Sequence, residues 1–373
     1  MPGSIGPHGQ IVSFEIDADI RVARTLPGRV YADPELFRAQ RDRVFARTWH
    51  YAAHDDVVKV AGQVFPFTLV PGALDEPLLL TRDRSDTIHC VSNVCTHRGT
   101  LVVEGAGHEQ QLRCRYHGRR FELDGRFHSM PEFESTKDFP SSNGADDLAS
   151  VALGRFERFL MVALRPAMTF DDLARGMRAR LAGLPFARLV PDASGTRDYH
   201  VNANWALYVD NYLEGFHIPY VHSSLAATLD YGAYAVELER YGVLQLGIAK
   251  PGEPAFALPQ SHPDAKRNIA AYYYWLFPTT MFNVYPWGIS VNVVTPQSVD
   301  RTRVSFLPFV WDASAREQGA GGGLDRVERE DEAIVESVQR GVRSRLYDRG
   351  RYSPTRETGV HHFHRLLAEF MKA

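Results

Sequence analysis

Two short pairs, each mixing a cysteine with a histidine, constrain this chain more than any other feature: Cys95-Thr-His97 and, after sixteen residues, Cys114-Arg-Tyr-His117. Each pair sits beside a glycine, Gly99 or Gly118, in a loop flanked by strand-like runs. Thiolates are soft donors that hold iron well, and two imidazoles on one iron remove negative charge from a cluster and raise its potential. The pattern therefore points to a two-iron, two-sulfur centre. Zinc also accepts two cysteines and two histidines, but zinc fingers group like ligands together, whereas here each loop supplies one of each. Cys90 lies outside the pattern and reads as a buried strand thiol.

The runs around these loops, from Val57 to about Ser129, are strand-sized and punctuated at Pro71-Gly72, Asp83 to Asp86, Gly105 to Gly107 and Asp124-Gly125. They predict a small antiparallel β domain, with the polar stretch Glu134 to Asp147 as an exposed loop at its edge. Before it, Asp33 caps a predicted helix over Pro34 to Thr48, with Phe37, Val44 and Phe45 on one stripe. The expected domains are therefore an N-terminal segment and helix (1–48), the cluster domain (49–155) and a larger domain (156–373). In the last, Thr169 and Asp172 form a capping-box variant ahead of Phe170, Leu173, Ala174, Met177 and Leu181 at helical spacing. A helix is predicted over Trp205 to His217, stopped by Pro219, and strand-like runs follow between Tyr241 and Phe309. A flexible patch, Gln318 to Gly323, precedes a long helix capped by Asp325 and reaching about Leu346.

A second constellation lies in this larger domain. At about 100° per residue, Trp205, Tyr208, Val209, Tyr212, Leu213 and Phe216 share one helix face, and Asp210, Glu214 and His217 share another. His222, just past Pro219, can turn back toward a metal bound by His217. In the last long helix Val327, Ile334, Val335, Val338 and Val342 define a buried stripe with Asp331 in its middle, while Glu328, Glu330, Glu332 and Glu336 lie to its flanks or opposite. A carboxylate on an apolar face needs an arginine, a proton or a metal. His217, His222 and Asp331 together make a complete metal site; a buried ion pair or a protonated core Asp331 is the alternative.

On these residues the chain resembles the oxygenase α subunits of Rieske non-haem iron oxygenases, from about Val30 to Phe370. Cys95, His97, Cys114 and His117 match the family's cluster ligands, with Arg98-Gly99, Tyr116 and Gly118 in their usual places. Asp-Asn-Tyr-Leu-Glu-Gly-Phe-His-x4-His, residues 210 to 222, resembles its iron motif, and residues 330 to 341 resemble its C-terminal ligand helix, so His217, His222 and Asp331 carry over as iron ligands. The resemblance implies an α+β fold, a small antiparallel Rieske domain beside a larger helix-grip-like catalytic domain with an antiparallel sheet and flanking helices. It implies an oxidoreductase, a mono- or dioxygenase that uses O2 at a mononuclear Fe(II) to hydroxylate or oxidatively dealkylate a small organic substrate. Electrons would come from NAD(P)H through a separate flavin-dependent reductase, with or without a ferredoxin, since the chain has no Gly-x-Gly-x-x-Gly fingerprint. A head-to-tail homotrimer is implied, with Glu214 linking the iron site to a neighbour's cluster; Asp210 competes for that role and suits a helix-orienting one better.

The substrate is less constrained. Tyr272 to Phe277, with Met281, Phe282, Tyr285 and Trp287, is dense in aromatics, and alternation separates Tyr272 and Tyr274 from Tyr273, Trp275 and Phe277. One face could line a pocket and cage a quaternary ammonium through cation–π attraction, or the tract could be plain core around a site for aromatic rings. The stretch from Gly350 to Leu367 resembles the choline monooxygenase and betaine demethylase branch; its His361, His362 and His364 read as capping or packing a final helix. With 42 basic against 45 acidic residues and a net charge of −3, no global field favours nucleic acid or anionic lipid. No apolar run spans a bilayer, residues Met1 to Gln10 lack a signal pattern, and three cysteines cannot build a disulfide framework, so a cytoplasmic location is expected. A non-enzymatic electron carrier would leave His217, His222 and Asp331 without a role.

Overall fold

The turn-punctuated first half folds as ten strands: β1 (His50–His54), β2 (Gln63–Leu69), β3 (Glu76–Arg82), β4 (Ile88–Ser92), β5 (Gly107–His108), β6 (Leu112–Arg113), β7 (Arg120–Phe121), β8 (Phe127–Ser129), β9 (Ala152–Phe156) and β10 (Phe159–Ala163). The computed structural model describes residues 14–316 and 318–372; the N-terminal stretch read above for a signal lies outside them. The strands form three antiparallel sheets, ordered β4-β3-β2-β5, β6-β7-β8 and β1-β10-β9. Val64, Leu79, Val91, Leu112 and Phe121 bury a shared core that also encloses Cys95 and Cys114.

This unit spans Ala46–Ala167 and so runs past residue 155. The reason is the β9–β10 hairpin: every residue of β10 is buried, and β10 completes a sheet with β1. The stretch from Glu134 to Asp147 is mostly exposed, as its polarity predicts, but it is also tied down. Asp146 takes a 2.6 Å bond from the buried Arg119 guanidinium, which lies over the rings of Phe121, Phe127 and Phe139. Cys90 is a buried thiol of β4 whose pKa burial pushes up to about 12.

The second unit joins Met1–Phe45 to Met168–Ala373. Its helices are α1 (Pro34–Arg43), α2 (Phe170–Arg180), α3 (Trp205–Tyr212), α4 (Ile218–Val221), α5 (Ser223–Thr228), α6 (Leu324–Gly341) and α7 (Thr358–Lys372). Its strands are β11 (Val190–Pro191), β12 (Arg197–Val201), β13 (Ala235–Glu239), β14 (Gly242–Ile248), β15 (Ile269–Leu276), β16 (Thr280–Tyr285), β17 (Gly288–Ser298) and β18 (Arg301–Val310). They form one antiparallel sheet, ordered β11-β18-β17-β16-β15-β14-β13, with β12 also paired to β18. Helix α3 packs on β17 and against α6 and α7, which sets the catalytic elements on this sheet.

Two expected caps hold, Asp33 accepting from Glu35 N–H and Thr169 from Asp172 N–H, but Asp325 does not cap α6: the N-cap is Gly323, and Asp325 lies in the first turn, accepting from Tyr199 O–H and Arg329. Three helix limits differ. Helix α1 stops at Arg43 and a 3₁₀ turn over Phe45–Arg47 follows, which lets the adjacent Val44 and Phe45 both be fully buried. Helix α6 ends at Gly341 rather than near Leu346. Helix α3 ends at Tyr212, five residues before His217, because Leu213 N–H divides its bond between the carbonyls of Val209 and Asp210 and tightens the last turn. Pro219 opens α4 instead of closing α3, a position where its missing N–H costs nothing. Phe216, expected on a buried face, is exposed as a result. The Gln318 to Gly323 patch is not loose: Gly319–Gly321 forms a 3₁₀ turn with Ala320 and Gly321 buried.

Candidate active site

The two cysteine–histidine loops are the same bend built twice. Cys95 N–H donates to Thr100 O (2.8 Å) and Gly99 N–H to Cys95 O (2.9 Å); Cys114 N–H donates to Arg119 O (2.8 Å) and Gly118 N–H to Cys114 O (3.0 Å). Gly99 and Gly118 adopt φ of 73° and 76°, a region costly for a residue with a Cβ. Both thiols are buried, reduced and within bonding reach of each other, and the half-buried rings of His97 and His117 meet edge to face at 4.7 Å. Burial above all, and then the facing Cys114, raises the Cys95 pKa against the pull of a backbone bond from His97. Soft donors inside and imidazoles toward the surface form a donor set that fits a two-iron, two-sulfur cluster.

In the larger unit three donor atoms converge. His217 Nε2 lies 3.1 Å from His222 Nε2, and Asp331 Oδ1 lies 3.0 Å from His222 Nε2 and 3.5 Å from His217 Nε2. Metal–ligand bonds of about 2.1 Å meeting at right angles put donors about 3 Å apart, so these atoms could hold one ion as a facial triad with its other positions open. The second nitrogen of each ring is also used, and Asp331 Oδ1 takes a further bond. His217 Nδ1 pairs with Glu214 Oε1 (2.6 Å), His222 Nδ1 with Glu330 Oε2 (2.8 Å), and Asn211 Nδ2 donates to Asp331 Oδ1 (2.6 Å). Such partners set the ring tautomer and aim the free nitrogen inward. Burial disfavours a charged His222, but Asp331 and Glu330 outweigh it and raise its pKa, a sign that the site's field calls for a cation. Among the described residues, His54, Asp55 and Asp56 also bring donor atoms close together, but Arg155 and Arg158 already pair with those carboxylates.

Several placements correct the sequence reading. Asp210 and Glu214 do not share a face: Asp210 takes 2.7 Å bonds from Tyr31 O–H and His364 Nε2, and so ties α3 to α7. Glu214 instead caps the loop after α3, accepting from the amides of Phe216 and His217 while it holds the His217 ring. Gly215 makes this bend possible, since a Cβ there would lie 2.9 Å from the Tyr234 ring. On α6, Ile334 and Val338 are exposed, and the buried line runs through Glu328, Val335, Gln339 and Val342. Glu330, expected away from the site, holds His222. His361 and His364 pack α7, with Nε2 of His361 on Asp17 O.

A cavity of about 110 Å3 opens onto His217, His222 and Asp331. Tyr208, Tyr212, Tyr234, Tyr273 and Tyr285 line it, as do Gln245, Asn283, Asn292 and Glu328. Of the aromatic tract only Tyr273 and Tyr285 reach the cavity. Tyr272 packs on Phe256, and Trp275 packs on Phe363 of α7. Tyr208 and Tyr212 lie on the α3 face grouped by periodicity, whereas Tyr234, Glu328 and Asn211 carry no signal that would place them at a cavity. Tyr208, Asn211, Tyr212 and Glu328 face the site because α3 and α6 are pressed together, with Tyr208 O–H donating to Glu328 Oε2 at 2.7 Å.

Two family models match the chain, the Rieske [2Fe-2S] domain over residues 48–140 and the ring hydroxylating alpha subunit catalytic domain over 192–373. The chain is 29% identical to the chloroplastic choline monooxygenase of Arabidopsis thaliana, over 97% of this chain and 86% of that protein. It is also 29% identical to the carnitine monooxygenase oxygenase subunit of Escherichia coli K12, over 95% of this chain and 96% of that one. Its fold matches a quaternary ammonium Rieske monooxygenase in complex with L-carnitine with a TM-score of 0.74 at 23% identity, covering 95% of this chain and 97% of that one. Naphthalene 1,2-dioxygenase matches with a TM-score of 0.72 at 18% identity, covering 93% and 92%. Proteins of this kind work with separate reductases and pass electrons between subunits. With one unit built around paired cysteine–histidine loops and the other around two histidines and a carboxylate, the chain belongs to the Rieske non-haem iron oxygenases, an oxygenase α subunit whose cofactors are a [2Fe-2S] cluster and a mononuclear iron.

Proposed function

We propose that this α subunit oxidises a quaternary ammonium compound, with Cys95, His97, Cys114 and His117 holding the cluster and His217, His222 and Asp331 holding the mononuclear iron. The observation that carries the substrate class is the cavity wall: five tyrosines, three carboxylates and no lysine or arginine among the described residues. Ring faces attract an ammonium, and a cavity with that charge balance repels an anion. When bound, the irons supply one-electron transfer and the reduction of O2. The chain's own residues aim the ligands and place the substrate. Glu214 and Glu330 hold the two histidine rings from behind, Asn211 holds Asp331, and the tyrosines turn a methyl-bearing nitrogen toward the open side of the triad. The relatives named for choline and carnitine oxidation support the same substrate class.

The assembly we infer is a head-to-tail homotrimer fed by a flavin-dependent reductase that draws on NAD(P)H. In it Glu214, already bonded to His217, links the iron site to a cluster histidine of the next subunit. With Cys95 and Cys114 given to the cluster and Cys90 a buried thiol, no cysteine pair is left for a disulfide, which suits a reducing cytoplasm. A single turnover tests the reading: the iron-loaded protein is reduced, the reductant removed, and O2 added with choline, carnitine and betaine. Formaldehyde or aldehyde at a stoichiometric fraction of active sites supports it. Cluster reoxidation and product only with an aromatic acid panel would move the substrate to aromatic rings.

A further inference from the structure

The charges lining the cavity do not all have the same work. Glu214 is committed to His217 and two backbone amides, and Asp331 to His222 and Asn211. Glu328 is the third cavity carboxylate. It lies one helical turn before Asp331 on α6, is 3% exposed, and spends one oxygen on the Tyr208 hydroxyl. Its other oxygen, Oε1, has no hydrogen-bond partner. A buried carboxyl without a basic neighbour is expensive unless it is neutral or meets a cation, and no lysine or arginine lines this cavity among the described residues. Burial, opposed only in part by the Tyr208 bond, pushes its pKa well up.

We propose that Glu328 is the counter-charge for the substrate's ammonium group, a specificity-determining carboxylate distinct from those at the metal. The inference rests on the quaternary ammonium reading above. A fixed cation entering between the tyrosines supplies the opposite charge that the unpartnered Oε1 of Glu328 lacks. The ring faces of Tyr208, Tyr212, Tyr234, Tyr273 and Tyr285 discriminate a cation from a neutral group of equal shape by a few-fold to about 30-fold. A buried opposite charge adds to that, and its loss is expected to weaken a cation by about 30-fold or more.

Binding to the holoenzyme, measured by calorimetry, tests this without turnover. The probes are choline and 3,3-dimethylbutan-1-ol, which replaces the nitrogen of choline by carbon and keeps its shape. Wild type should bind choline far more tightly. Glu328→Gln, which can still accept the Tyr208 O–H, should weaken choline by about 30-fold or more and leave the neutral alcohol unchanged or tighter. If Glu328→Gln fails to fold with its full cluster spectrum, Glu328→Met carries the same readout, since an apolar residue of similar volume is tolerated where an uncompensated charge is not. A variant that keeps the wild-type ratio overturns the role of Glu328 and leaves the substrate class standing. Wild type that binds the alcohol as well as choline overturns the substrate class, and this inference with it.

Discussion

In the smaller unit the two ligand loops are closed by their own main chain, with the same pair of backbone bonds at Cys95 and at Cys114. In the larger unit no backbone bond among the described residues joins the proposed ligands His222 and Asp331, 109 positions apart; Glu214, Glu330 and Asn211 hold the triad residues through side chains. A site closed by peptide groups within a few residues keeps its shape whatever packs around it. A site aimed by side chains on separate elements has its shape only when α3, the loop after it and α6 are docked. The first suits a centre that only passes electrons. The second also presents a cavity: α6, which carries Asp331, carries Glu328 as well, while the tyrosines come from α3, from the chain before β13, and from β15 and β16.

The largest effect that would test this contrast is loss of a proposed cluster ligand. Cys114→Ala should abolish the cluster spectrum and turnover together, with iron falling from about three atoms per chain to about one. His217→Ala should also abolish product formation, yet leave the cluster spectrum intact and cut iron only to about two per chain; product from this variant would sink the proposed triad. Next comes Glu330→Gln, which loosens the aim of His222 without touching a ligand. Fe(II) titration of the mononuclear site should show an affinity about 10- to 100-fold weaker, with cluster absorption unchanged. An unchanged affinity would mean that side-chain aiming does not distinguish the two sites. Asp210→Asn disturbs the network with Tyr31 and His364 without touching a proposed metal ligand. A stability loss of about 1–3 kcal/mol and an unaltered iron content are expected from melting and metal analysis. The smallest effect sharpens the backbone side of the comparison. Gly99→Ala meets nothing within 4 Å, and Gly118→Ala meets only Pro131 at 3.5 Å, so both should cost only the strain of a positive φ, about 1 kcal/mol each by thermal melting. Unequal costs would break the equivalence of the two loops.

The same contrast decides what could be read in advance. The cysteine–histidine pairs, the caps at Asp33 and Thr169, and the spacing of His217 and His222 are local, and spacing within a turn or loop is dictated by covalent geometry. The errors fall where an element had to be extended past its local signal. Extending α3 to His217 placed Asp210 and Glu214 on one face, but the tightened turn at Leu213 sends Asp210 to His364 and leaves Glu214 at the site. Counting apolar residues on α6 put Ile334 and Val338 inside. The face that is buried carries Glu328 and Gln339, held by Tyr208 O–H and by Asn204 N–H. Polar residues with partners on distant elements look like surface in a periodicity count. The aromatic tract, left open between cage and core, is mostly core, because β15 is covered on both faces and most of its rings meet core rather than cavity.

The chain's order of residues thus carries the chemistry of both sites, the donor types, their spacing and the bends that present them, because those depend on neighbours a few bonds apart. Which carboxylate holds which histidine, which tyrosines ring the cavity, and that Glu328 stands in its wall depend on how α3, α6 and the sheet dock. Docking is set by the burial of many side chains at once, a non-directional force summed over the unit, and no short window of sequence contains that sum.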